Sequence, residues 1–150
     1  MKNRTPILTL IFTVILSTCS KNDDDNNQNN NPNIPRAVFD TGASINTSLP
    51  QYNQLQFPNN NVVIDAAGIN GVVLHFSGNS YSAFELSDPN HPINSCTQLS
   101  VNGIIATCGC DDGNAYEILG GAPQQGTTGR YTLVRYSVEV NGSVIRVFNN

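Results

Sequence analysis

Tryptophan is absent from the chain, methionine occurs once, histidine twice, and only 12% of the 150 residues are charged. With 39% hydrophobic residues and so few large ones, the composition suits one small domain around a modest core and leaves no room for a second. Basic residues number 7 against 11 acidic ones, for a net charge of -4 and a pI near 4.8. A surface of that sign repels polyanions, so nucleic acid and anionic lipid are not expected as partners. No window has a helical period, and no P-loop, dinucleotide-binding glycine motif, H-E-x-x-H or motif-supported Ser-His-Asp grouping occurs. The expectation is a protein that is not an enzyme.

What is present begins with a targeting segment. Lys2 and Arg4 form a basic start, and Ile7 to Leu16 form an apolar run too short to span a bilayer. The tetrapeptide Leu16-Ser17-Thr18-Cys19 follows and resembles a bacterial lipobox, with Thr18 larger than the usual small residue. That resemblance implies a signal peptide over 1–18 and a lipidated Cys19 that anchors the chain in a membrane, whereas plain secretion would place the cleavage elsewhere. Two or three acyl chains hold firmly, since each buried methylene contributes about 0.8 kcal/mol. Residues 19–35 are mostly Asn, Asp and Gln, with no large apolar side chain after Cys19 and before Ile34, a composition that cannot offset chain entropy and reads as a flexible tether. The Ser-Lys-Asn-Asp-Asp-Asp start also resembles the export signal of surface lipoproteins of the Bacteroidetes; a merely solubilising linker has the same composition. Both readings put the protein in the cell envelope, as an outer-membrane lipoprotein facing the periplasm or the surface.

From Arg36 onward the pattern is β. The runs 62–66 (VVIDA), 71–76 (GVVLHF), 81–85 (YSAFE), 103–107 (GIIAT) and 115–119 (AYEIL) are short, apolar or alternating, and bounded by Asn, Gly, Asp and Pro. At the C-terminus Tyr136, Val138 and Val140 alternate with Arg135, Ser137 and Glu139, and Asn141-Gly142 predicts a two-residue type I′ hairpin turn. Tyr131 and Leu133 keep the opposite phase, which predicts a bulge or kink near Val134. Residues 45–58, with Pro50 and Pro58, are expected to be extended as an edge strand or packed arm. Short strands at turn-rich spacing indicate an all-β domain, a small antiparallel barrel or sandwich.

Three of the four cysteines fall within 96–110. Cys96-Thr97-Gln98-Leu99 and Cys108-Gly109-Cys110-Asp111-Asp112-Gly113 resemble the two cluster-binding loops of the Rieske iron-sulfur domain, C-x-H-x-x-C and C-x-C-H-G. Ala115-Tyr116-Glu117, Gly120-Gly121-Ala122-Pro123, and Leu133, Tyr136 and Val138 are similar to the strand, turn and closing hairpin that follow in that family. The resemblance spans residues 36–150, and upstream segments are similar to Rieske-like lipoproteins of Flavobacteria. It implies a Rieske-like fold and, in intact members, a [2Fe-2S] cluster with two thiolates on one iron and two imidazoles on the other.

The departures decide what carries over. Cys96 and Cys108 keep the thiolate positions, but Gln98 and Asp111 stand where the histidines belong. A neutral amide is a poor iron ligand, and a carboxylate is hard and anionic. His91, in the Pro-bounded turn DPNHP, reads as polar surface rather than as a replacement ligand, and His75 as a strand residue without a site role. The loop-to-loop disulfide of the family joins a cysteine where Val101 stands to the one at Cys110, so Cys110 has lost that mate.

Two thiolates on one ion lie about 3.7 Å apart, a small shift from the roughly 2.0 Å of a disulfide, and the pairing this implies is Cys96–Cys108, with Cys96–Cys110 as the competitor and a Cys108–Cys110 bridge open but strained by its short loop. A loop of about 12 residues closed in this way contributes on the order of 2 to 3 kcal/mol. Cys96, Cys108, Cys110 and Asp111 could also serve zinc or copper, although C-x-C is weaker evidence than C-x-x-C, and the Asp-Asp-Gly-Asn stretch reads as a turn rather than a calcium loop. The favoured expectation is a lipid-anchored envelope protein whose Rieske-like domain has lost its cluster and holds no metal or cofactor. Its role would be a disulfide-stabilised structural or interaction module toward an unidentified envelope protein. The alternative is a [2Fe-2S] electron carrier with altered ligation.

Overall fold

The structure, a computed structural model, describes residues 31–150. The proposed signal segment, Cys19 and most of the tether lie outside the described residues. The last tether residues belong to the domain: Ile34 is buried in the core, and the side-chain amides of Asn31 and Asn33 both donate to the Pro89 carbonyl. No helix among the described residues is long and apolar enough to cross a membrane.

Among the described residues ten antiparallel strands form two sheets, so the all-β expectation holds. The larger contains β1 (Phe39–Asp40), β2 (Ile45–Asn46), β3 (Asn60–Ile64), β4 (Val72–Phe76), β5 (Tyr81–Glu85), β9 (Arg135–Asn141) and β10 (Val144–Asn149). Its order is β1-β10-β9-β5-β4-β3, with β2 also beside β10. The smaller sheet, β6 (Leu99–Asn102), β7 (Ile105–Cys108) and β8 (Ala115–Glu117), is inserted in the chain between β5 and β9.

The unbroken apolar run of β4 is explained by burial on both faces. Val72 and Leu74 join a core with Ile45, Leu55, Tyr136 and Val147, while Val73 joins a second core with Phe84, Leu99, Cys108, Tyr116 and Leu133. β5 divides in the same way, Ala83 to the first core and Phe84 to the second. His75 is buried with neither ring nitrogen hydrogen-bonded among the described residues, and burial lowers its pKa, against the opposing charge of Glu117. Buried Glu85 is fully employed: it accepts the Ile69 and Asn70 N–H groups and the hydroxyls of Ser87 and Tyr136. The change of inward phase near Val134 needs no bulge: Leu133 packs into the second core and Val134 and Tyr136 into the first, the regular alternation of an extended segment covered on both faces.

Two local expectations are corrected. In the C-terminal hairpin Asn141 pairs with Val144, so the loop residues are Gly142 and Ser143. Of these only Gly142 has a positive φ, the pattern of a type II′ turn rather than I′. Residues 45–58 are extended only at β2; Pro50–Gln56 form a 3-10 helix. Pro50 pre-sets φ for the first turn, and the three-residue period puts Tyr52 and Leu55 on one side, against the first core.

Candidate functional site

Two loops meet at the edge of the smaller sheet. The first, between β5 and β6, is pinned at both ends because the Leu99 N–H donates to the Leu86 carbonyl and the Asp88 N–H to the Thr97 carbonyl, each at 2.8 Å. Asn94 shapes its interior: its side-chain oxygen accepts the Cys96 N–H at 2.8 Å, and its carbonyl accepts the Thr97 hydroxyl. The second loop, between β7 and β8, is closed by the Cys108 N–H on the Asn114 carbonyl at 2.8 Å. Gly109 lets the two backbones touch, since a Cβ there would lie 2.8 Å from the Cys96 carbonyl oxygen.

The sulfurs pair differently from the favoured expectation. Cys96 is bonded to Cys110, the competitor, and Cys108 is the free thiol. Strand direction explains the correction. Cys108 is the last residue of β7, paired with Leu99 and two residues after buried Ala106, so its side chain faces the second core. Cys110 lies past the strand end, level with Cys96, with Cα atoms 4.9 Å apart. The Cys108 thiol points at the Cys96 carbonyl, 3.7 Å away, and accepts the Cys110 N–H at 3.4 Å. Burial, then the nearby charges of Asp88 and Asp112, push its pKa up to about 11, against the Cys110 N–H.

Around this thiol the loops collect polar groups that the motif comparison had not joined. Asp88 is fully buried and accepts from the Tyr116 hydroxyl, from Asn114 Nδ2 at 3.0 Å and from the Asn90 N–H at 2.9 Å. Burial alone would raise this carboxyl, but the three donors outweigh it and hold it below the ordinary aspartate value. Tyr116 is correspondingly raised, by burial first and by Asp88 second. His91 Nε2 lies 2.9 Å from Asp112 Oδ2, so His91 is part of the loop cluster and not mere polar surface. One ligand atom each from Asp88, His91, Cys108 and Asp112 falls within 4.8 Å of every other.

Gln98 and Asp111, at the family's histidine positions, are both exposed, and Gln98 Nε2 donates to the Asn70 carbonyl at 3.0 Å. The four positions Cys96, Gln98, Cys108 and Asp111 therefore present one free thiol, an amide and an exposed carboxylate, with the remaining sulfur in a disulfide. A pair of irons needing two thiolates and two imidazoles does not fit that donor set. Asp88 and Asp112 were missed by motif reading; the signal that could have found Asp88 is D-P-N-H, which sets a carboxylate three residues before His91 in one turn.

No family model and no curated protein matches the chain. Among solved structures it is similar to the ferredoxin of carbazole 1,9a-dioxygenase from Nocardioides aromaticivorans IC177, at 16% identity and a TM-score of 0.44, over 78% of this chain and 99% of that one. A second similarity is to a chain of the complex of reduced oxygenase and oxidized ferredoxin in carbazole 1,9a-dioxygenase, at 22% identity and a TM-score of 0.41, over 61% of this chain and 82% of that one.

Proposed function

We propose that this is a lipid-anchored cell-envelope protein whose Rieske-like domain holds no [2Fe-2S] cluster and works as a disulfide-stapled structural or interaction module. The observation that carries the reading is the commitment of the Cys96 sulfur to Cys110, together with the exposure of Gln98 and Asp111. The Rieske-like assignment rests on the two motif-bearing loops, which come together at one edge of the small sheet although 12 residues separate Cys96 from Cys108. Envelope location rests on the basic start, the apolar run and Leu16-Ser17-Thr18-Cys19, and a disulfide suits an oxidising compartment. Catalysis is not part of the proposal: a thiol held at about 11 is a weak nucleophile at neutral pH.

Iron and acid-labile sulfide analysis of the full chain, with EPR of the dithionite-reduced protein, tests the reading. A colourless protein without stoichiometric iron is expected. Stoichiometric iron and sulfide with a Rieske-type EPR signal would establish the electron carrier instead.

A further inference from the structure

We infer that Asp88, His91, Cys108 and Asp112 form a binding site for one divalent cation of the zinc class. The juxtaposition behind this is a sulfur, an imidazole nitrogen and two carboxylate oxygens, drawn from both loops, all within 4.8 Å of one another. Ligands on a tetrahedral zinc ion stand about 3.3 to 3.6 Å apart, given bonds of about 2.0 to 2.3 Å. The 4.8 Å limit is about 1.2 Å wider than that spacing, so binding draws the loop side chains of His91 and Asp112 toward Cys108 and Asp88.

The second observation is Asp112. Its Oδ1 accepts the Asn114 N–H at 3.1 Å, but Oδ2 is buried and makes no hydrogen bond, although His91 Nε2 lies only 2.9 Å away. Nitrogen and oxygen are close without an N–H aimed between them, so an opening of about 0.4 Å sets both lone pairs at the spacing of two ligands of one ion. Asp88 shows the outer support such ligands require, since Tyr116, Asn114 and the Asn90 N–H fix its carboxylate. Charge points the same way. The described residues contain no lysine, and the arginine ion pairs among them involve Asp40 and Glu139 rather than Asp88 or Asp112. Two carboxylates in a corner that no lysine or arginine side chain enters are stabilised by a bound cation.

The donor mix selects the ion: imidazole and thiolate favour zinc and its neighbours, whereas magnesium and calcium take oxygen ligands. The side chains of His91 and Asp112 are 28% and 21% exposed, which leaves an entry path. On binding, Cys108 coordinates as thiolate and its proton passes to solvent. Cys110 also lies within reach of His91 and Cys108, but its sulfur is held by Cys96. The inference rests on the proposed function only in taking Cys108 to be free of iron.

The test uses the full chain with its disulfide intact, titrated with Zn²⁺ by calorimetry and with Co²⁺ as an optical probe. One ion per chain is expected, with a thiolate-to-cobalt charge-transfer band that Cys108→Ser removes. His91→Ala and Asp112→Asn, in the partly exposed loops, should each weaken Zn²⁺ binding at least tenfold. Asp111→Asn, one residue away and solvent-facing, should leave it unchanged. Absence of saturable binding, binding indifferent to His91 and Asp112, or uptake only after reduction of the disulfide would each overturn the inference. Iron and sulfide content is a separate readout, so failure here is distinguishable from failure of the cluster-free reading.

Discussion

A thiol buried beside two carboxylates differs from one in water, and Cys108 is placed in that setting. Its proton is held by burial first and by Asp88 and Asp112 after that, so the group ionises near 11 instead of 9.0. In chelator-treated, folded protein, alkylation by iodoacetamide at pH 8 should run about a hundredfold slower than for an unstructured cysteine, because two pH units separate their thiolate fractions. The rate should climb only as pH approaches 11; a rate matching a peptide thiol would show that the sulfur is not enclosed. The linkage has a definite sign. Between about 9 and 11 the unfolded chain loses a proton that the folded chain keeps, so stability falls as pH rises through that window. At this scale the sequence was partly readable: Cys108, Cys110 and the two aspartates that follow stood out as one loop. Asp111 and Asp112 could not be told apart, because which of two adjacent side chains turns inward depends on the loop's backbone.

The two loops are positioned by strands whose patterns were largely legible. YSAFE coincides with β5, and the apolar run 71–76 contains β4, whose burial on both faces only the packing of the two sheets reveals. The errors lie where one residue of register changes the outcome. Asn141 stayed in the ladder and shifted the turn to Gly142-Ser143, and Cys108 stayed in β7 and so faced the core while Cys110 met Cys96. The 3-10 helix was hidden because Pro50 opens a helical turn as readily as it ends a ladder. Gly109 is the element-scale test of how the loops fit. A methyl group there meets a backbone carbonyl, which no rotamer change relieves. Gly109→Ala should therefore lower the unfolding free energy by about 1 to 3 kcal/mol in urea titrations. An unchanged midpoint would mean that the loops do not approach so closely.

For the whole molecule the disulfide matters because the second core is small. Val73 and Phe84 tie it to the larger sheet, and Cys96–Cys110 closes its open edge across a separation of 14 residues. A loop of that size restricts the unfolded chain enough to contribute about 3 kcal/mol. The Cys96→Ala, Cys110→Ala double variant should lose about that much in chemical denaturation. A negligible loss would mean that packing alone holds the loops. The electron-carrier alternative requires the Cys96 sulfur to be available to a metal, so the state of that sulfur separates the two readings at their root. The decisive measurement is peptide mapping by mass spectrometry of the native protein, with free thiols trapped before unfolding or exposure to oxidant. The account predicts a linked Cys96–Cys110 peptide pair and Cys108 as the unpaired thiol. Recovery of Cys96 and Cys108 both as free thiols, or joined to each other, would contradict it.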